Sequence, residues 1–517
     1  MTPKTTALTR WLAFGSCVLV GLTNEVSGGA LSLSFRDASV ELNASAPVMQ
    51  LVLTLSKLLF GAFMLLGGVL GDRYGRRRVL VAGSAGIVAA SALAAFAGSA
   101  GQLAVARALD GLANAAVGPL CLALVMSLFP DEERNRAVSL FLGLSALGIA
   151  LGPLAASAVI QGFGWRAGFA APALVAAMGG LGVRLFAPEV RGEHRPLDGL
   201  GALGVAVGLL ALVFAVIGAG DVGWGHRRVL QSFAVGAGSL AAFVWWERRI
   251  ADPLLDLSLF KSRQLNAALL NGLFLALVMG GAILPLLYFF QNVQGLTPVS
   301  ALLRIVPLVV AAALCSPASG TLLTRLGPRP VVLGGLALVV AGCGVLAFLR
   351  PDTPYGVVFL ALVFIGAGNI AVVTAVTAIV LESLPPERAG SAAALNNAAV
   401  QVGGAFGAAI LTSVFLDAAR ARYAALLTPT GLSIEAIRDI TRAWREAVRT
   451  AVSSGTRILP EGMEHQFEEA FRVAFTAGVA RVFAVAALVA VAGALLAWLG
   501  LGARRTAAGL PSSHHGG

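Results

Sequence analysis

The sequence predicts an all-α polytopic membrane protein of about 14 transmembrane helices: two six-helix bundles with a two-helix central insertion. Three observations predict it. Of 517 residues, 57% are hydrophobic and only 12% are charged, about half the charged share of a soluble domain. Apolar runs of about 20 residues, the length that crosses a bilayer as a helix, follow one another along the chain. A connector motif in the first half also returns at a fixed offset in the second, as a duplicated half requires. The same balance excludes a soluble enzyme and a disordered chain, which needs low hydrophobicity and high charge. Cys17, Cys121, Cys315 and Cys343 sit inside apolar runs, as small buried hydrophobes rather than a disulfide framework.

The first run, 11–35, is too long for a signal-peptide core and reads as an uncleaved first helix. The next spans fall near 48–70, 79–100, 102–128, 137–160 and 165–187, completing a first bundle over 1–190. Two further runs, 199–220 and 229–246, form the insertion over 191–260. The second bundle, 261–517, holds runs near 265–290, 299–323, 330–349, 355–380, 389–416 and 478–503.

Basic residues orient the spans, because cytoplasmic connectors carry the excess of lysine and arginine. With the amino terminus inside, the inner connectors hold Arg73, Arg76, Arg77, Arg78, Arg134, Arg136, Arg191, Arg195, Arg248, Arg249, Lys261 and Arg263. The outer ones offer little beyond Arg36, Arg227, Arg228 and Arg350. Both termini are therefore expected on the cytoplasmic side of the cell's inner membrane. The net charge of +11 is scattered over these connectors and forms no basic domain, which argues against nucleic acid as a partner. The long loop 417–477 is then outside. There Ile434, Ile437, Ile440, Trp444 and Val448 recur at helical spacing, as do Phe467, Phe471 and Phe475. Two amphipathic helices lying on the outer face are expected, as a cap over the mouth or as a partner site.

The connector Gly67 to Val79 reads GGVLGDRYGRRRV, and Ser319 to Val331 reads SGTLLTRLGPRPV. An offset of 252 carries Gly68 onto Gly320, Arg73 onto Arg325, Gly75 onto Gly327 and Arg77 onto Arg329. The same offset carries Arg136 onto Arg388 and Gly152 onto Gly404. One offset holding across separate connectors marks two parallel halves, an arrangement known among transporters.

Gly68, Asp72, Arg73, Gly75, Arg76 and Arg77 form the first connector motif. Gly68 permits close helix approach and Gly75 a tight turn. Asp72 is an anion at the inner edge, placed to pair with an arginine or to cap a helix. Gly148 and Gly152, one turn apart, share a helix face, and Pro153 bends that helix. On these motifs the chain resembles the major facilitator superfamily over nearly its whole length, in the fourteen-helix drug:proton antiporter branch. The resemblance implies that the first connector latches the halves in the outward-facing state, where the residues alone also allow a plain topology anchor. Thr324 replaces Asp72 in the second copy, which implies a weaker latch there. The Gly148–Gly152–Pro153 stretch resembles the branch's antiporter motif and implies export.

Glu25, Lys57, Arg107 and Asp110 stand deep inside spans. Each costs about 2.5–3.5 kcal/mol at the bilayer centre when unpaired, so they must pair or line a wet cavity. Glu25 and Lys57 lie at similar depth, roughly 20 Å from the inner face, and are expected to approach each other or share a water-filled site. Arg107 and Asp110 are three apart and can pair within one helix. Such pairs either carry a proton or fix helix packing as static ion pairs. Arg107 and Gly111 fit the family's fourth-helix pattern, which has glutamine where Asp110 stands and an aspartate in the first helix where Thr23 stands. Asn271, Asn369 and Asn397 are candidates for the substrate cavity, or for interhelical hydrogen bonds. Arg304 is expected to snorkel outward.

No phosphate-binding loop, metal cluster or nucleophile constellation is present in the sequence, so neither a cofactor nor an enzymatic activity is expected. Energy must then come from an ion gradient. The expected activity is proton-coupled export of small amphipathic molecules such as drugs, by a protein that is monomeric in the lipid bilayer. A dedicated metabolite exporter, an uptake symporter and a non-transporting sensor are the alternatives.

Overall fold

A computed structural model describes residues 7–501, except 45, 147, 149–151, 153–155, 157–158, 161, 192–197, 251–256, 384–388 and 428–465. The described chain is helical throughout its length. The first group of helices is α1 (Ala7–Glu41), α2 (Ala46–Tyr74), α3 (Arg76–Ala95), α4 (Ala100–Leu128), α5 (Asp131–Ala146) and α6 (Ala170–Phe186). Then come α7 (Gly199–Val222) and α8 (Arg227–Glu247). The last group is α9 (Arg263–Asn292), α10 (Pro298–Leu326), α11 (Pro328–Leu346), α12 (Tyr355–Glu382), α13 (Ala389–Leu427) and α14 (Gln466–Gly500).

Among the described residues, 10 helices are long and apolar enough to cross a membrane, or up to 11 if the pair bent by 58° within α2 is one span. α1 is not among them, because Thr23, Asn24, Glu25 and Ser27 interrupt its apolar run. α5 is described continuously for only 16 residues, and α7 contributes the shorter apolar stretch Leu203–Leu212.

The repeat is visible in the helices. The bounds of α2 moved by 252 are those of α10, and the start of α3 falls on the start of α11. The packing repeats as well: α2 on α4 matches α10 on α12, and α3 on α4 and α6 matches α11 on α12 and α14. Two seams join the two groups, α5 against α10 and α2 against α13, and the offset exchanges one for the other. α7 and α8 pair with each other, and α7 rests on α2 and α13.

Short polar residues start the helices where the chain leaves a turn. Ser99, Asp198, Ser262 and Thr297 each accept a hydrogen bond from a backbone N–H of the first turn of α4, α7, α9 and α10, satisfying donors that the helix leaves open. Gly75 and Gly327 have φ of 104° and 83°, so the tight turn after α2 and its repeat after α10 both need glycine.

The outer loop departs from expectation. α13 runs on to Leu427 and α14 starts at Gln466. Phe467, Phe471 and Phe475 are therefore the opening turns of α14, not a separate helix on the surface. Phe471 and Phe475 are buried, and Phe475 meets the ring of Phe415 on α13 at 4.8 Å. Their spacing is that of a helix face, and the face is covered by a neighbouring helix. The stretch Ile434 to Val448 lies outside the described residues.

Candidate functional site

The first half holds a closed polar network where α1, α2 and α4 meet. Arg107 and Asp110 are one turn apart on α4, and Arg107 Nη1 donates to Asp110 Oδ2 at 2.8 Å. Ser56 Oγ of α2 donates to the same oxygen at 2.8 Å, and Ser27 Oγ of α1 at 3.0 Å. Asn114 Nδ2 reaches Asp110 Oδ1 at 3.1 Å, and Thr23 Oγ1 donates to Asn114 Oδ1 at 3.2 Å. All six residues are buried, none more than 3% exposed.

The local sequence produces this convergence. Arg107, Asp110 and Asn114 recur at spacings of three and four on α4, so they share one face, as do Thr23 and Ser27 on α1. Gly111 lets α4 close on α2: a Cβ there would lie 2.4 Å from the Ser56 carbonyl oxygen. Close backbones let short hydroxyls reach the carboxylate. Three hydrogens point at Asp110 Oδ2 and one at Oδ1, so the open acceptor position of the carboxylate is on Oδ1, beside Asn114.

The structure places the expected pairs differently. Arg107 and Asp110 are brought together. Glu25 and Lys57 are not ion-paired among the described residues. Glu25 Oε1 accepts from Asn24 Nδ2 at 3.0 Å, and the glutamate side chain lies beside Gly148. A Cβ on Gly148 would stand 3.2 Å from Glu25 Cβ, and one on Gly152 2.9 Å from the Glu25 carbonyl oxygen. The two glycines thus let α1 approach closely at these positions; Pro153 is outside the described residues.

At the inner edge, Arg76 binds Asp72 Oδ1 through Nη2 at 3.0 Å and Nε at 3.1 Å, and its Nη1 reaches the Ala123 carbonyl at 3.3 Å. Both side chains are buried. Glu189, following α6, accepts from the Arg77 backbone N–H at 3.2 Å at the amino end of α3, where an anion complements the helix dipole. Arg73 lies over the Tyr74 ring at 5.4 Å. These contacts tie α2, α3, α4 and the segment after α6 together within the first half. Gly68 is buried, and at the neighbouring Gly67 a Cβ would lie 2.2 Å from the Ala115 carbonyl oxygen. Thr324, in the second copy, is exposed and turns back to the Thr321 carbonyl at 2.8 Å.

The halves join by other residues. Ser139 Oγ of α5 donates to the Ser316 carbonyl of α10, and Thr374 Oγ1 of α12 donates to Ser139 Oγ at 3.1 Å. Pro317 frees the Ala313 carbonyl from its helix bond, and Ser316 Oγ takes that carbonyl at 2.9 Å. A Cβ on Gly320 would lie 2.7 Å from Arg136 Cα. These contacts lie toward the amino end of α5 and the carboxyl end of α10, the ends that the arginines mark as inner.

Of the asparagines, Asn271 is 1% exposed, donates to the Ala267 carbonyl at 2.8 Å and faces Gly493 of α14. It therefore belongs to the packing between α9 and α14 and not to an open cavity wall. Asn369 and Asn397 are half-buried. Arg304 stays at the outer end of α10, donating to Gln294 and lying 4.9 Å from the Tyr355 ring.

Comparison with known proteins gives consistent matches. The family model described as Major Facilitator Superfamily matches residues 13–408. A puromycin resistance protein of Streptomyces alboniger is 33% identical over 84% of this chain and 86% of its own length. A multidrug efflux pump of Mycolicibacterium smegmatis is 30% identical over 95% of this chain and 97% of its own. A tetracenomycin C resistance and export protein of Streptomyces glaucescens is 30% identical over 72% of this chain and 69% of its own. Among solved structures, a human organic anion transporter superposes with a TM-score of 0.59 at 14% identity, covering 95% of this chain and 98% of that one. A proton:xylose symporter superposes with a TM-score of 0.58 at 15% identity, covering 96% and 97%. At that identity the likeness is one of fold.

Proposed function

Because this chain belongs to the major facilitator superfamily, we propose that it is a proton-coupled exporter of small amphipathic molecules such as drugs, working by alternating access. The named relatives are resistance, export and efflux proteins, which supports export. The observation that carries the proton coupling is the carboxylate of Asp110, buried mid-membrane on Arg107, Ser27, Ser56 and Asn114.

In this reading the protein has fourteen spans, the halves 1–190 and 261–517 rock about the seams α5/α10 and α2/α13, and 191–260 is the insertion. Both termini lie in the cytoplasm, and the working unit is a monomer in the inner membrane. With the inner ends of α5 and α10 in contact, the arrangement corresponds to an outward-facing state. A proton arriving from outside loads Asp110, Arg107 loses its partner, and α1, α2 and α4 loosen as substrate leaves. Return to the inner side restores the pair and releases the proton. Glu25 is the second carboxylate on this route, and Lys57 the second cation.

The test is efflux from proteoliposomes holding the full-length protein, with rhodamine 123 and fluorescein as probes. An imposed pH gradient, acid on the side opposite the dye, should drive dye out against its gradient, and a protonophore should abolish this. Equal flux with and without the gradient would overturn proton coupling, and no flux of either dye would overturn this export reading.

A further inference from the structure

Lys57 is exposed, although it stands about 16 Å into α2 from its first residue. Its neighbours define the direction it faces. Ser56, the preceding residue, is fully buried and points to Asp110 of α4. Gly61, one turn below, abuts α13, where a Cβ would lie 3.6 Å from Gln401 Cβ. On the other side, a Cβ on Gly28 of α1 would lie 3.9 Å from Lys57 Cε. Lys57 therefore occupies the space between α1 and α13, on the face of α2 turned toward the opposite half.

An ammonium inside the membrane needs water or a counter-charge. Among the described residues no carboxylate pairs with Lys57. The nearest acid along α1, Glu25, is engaged by Asn24 and lies against Gly148. Below Lys57, the half-buried rings of Phe60 and Phe63 on α2 pack against the buried Met64, Ala115 and Ala398. An exposed cation set between the halves above two half-buried aromatic rings suits a ligand with a negative group on a hydrophobic body.

Resting on the transport reading above, we propose that Lys57 is the recognition group for anionic amphiphiles, binding an ionised carboxylate attached to an aromatic body. The ammonium supplies a charge-assisted hydrogen bond, about twice as strong as a neutral one. A ligand seated there touches α1, α2 and α13 at once, so it senses the movement of one half against the other. Lysine fits this role better than arginine where ligands differ in shape, since its point charge does not impose a planar geometry.

The test is equilibrium binding to the purified full-length protein by fluorescence anisotropy. Fluorescein and rhodamine 123 share a tricyclic core and carry opposite charge. Lys57→Gln should raise the fluorescein Kd about tenfold, the loss expected for one charge-assisted bond, and leave rhodamine 123 binding as tight or tighter. Lys57→Arg should keep fluorescein within about threefold of the parent. The proposal is overturned if the parent does not bind fluorescein, or if Lys57→Gln weakens both dyes alike or neither. Lysine-dependent fluorescein binding without gradient-driven flux would sink the transport reading while supporting this one.

Discussion

Arg107 and Asp110 are joined at 2.8 Å inside α4, with both side chains at most 4% exposed. A buried pair of this kind contributes little net stability while intact, yet removing one partner strands the other charge, at about 3–5 kcal/mol. Arg107→Ala should therefore lower membrane-extracted stability more than Arg107→Ala combined with Asp110→Ala. Thermal unfolding in detergent measures both. A double variant destabilised by the sum of the Arg107→Ala and Asp110→Ala losses would show that the charges are not coupled.

Ser56 tests the hydroxyl layer around Asp110. Ser56→Ala removes one hydrogen bond to a charged group, worth about 1.5–3 kcal/mol, and adds no volume. The expected result is a moderate loss of stability and a shifted pH profile of efflux, with dye affinity unchanged. A pH profile identical to the parent's would place Ser56 outside the coupling.

Gly152 tests the close approach of the backbone to α1. A Cβ at this position would press on the Glu25 carbonyl at 2.9 Å and on Val26 Cα at 3.0 Å. Gly152→Val should insert into the membrane and lose at least about 10-fold in efflux, because two packed backbones cannot shift freely. Gly162→Ala, where a Cβ meets nothing within 4 Å, is the control and should behave as the parent.

At the outer edge, Glu41 accepts hydrogen bonds from Trp165 and Arg166, and Arg166 Nη1 also binds the Ala97 carbonyl at 2.6 Å. The Trp165 hydrogen bond first, and Arg166 second, hold the Glu41 carboxyl below its ordinary range. A lowered folded-state value contributes stability that is present above the unfolded value and lost as pH falls through the folded one. Stability at neutral pH should thus decline on acidification below the ordinary glutamate range. Glu41→Gln should flatten that decline, as read by thermal unfolding across pH. A decline of unchanged size in the variant would assign it to other carboxylates.

Parts of this architecture are legible in sequence because they rest on local geometry. The α2/α10 repeat shows in Gly75 and Gly327, which their turns require, and the Arg107–Asp110 contact follows from a three-residue spacing on one helix. The partners Ser27, Ser56 and Asn114 are not legible in the same way. Hydroxyls and amides are frequent in apolar helices, and only the close approach of Ser56 and Gly111 gives these a common target. For Glu25 and Lys57, depth is readable from residue count, but rotation about the helix axis is set by neighbours such as Gly148 and Gly28. The phenylalanines of α14 show that a helical apolar stripe does not say what covers it.

The most direct measurement of the central claim is proton release from purified protein in unbuffered detergent, loaded with protons beforehand at mildly acid pH and read with a pH indicator as a transported dye is added. Exchange of dye for a proton on Asp110 predicts release by the parent and none by Asp110→Asn, with the variant still binding dye. Equal release from Asp110→Asn would contradict it and move the proton to another carboxylate.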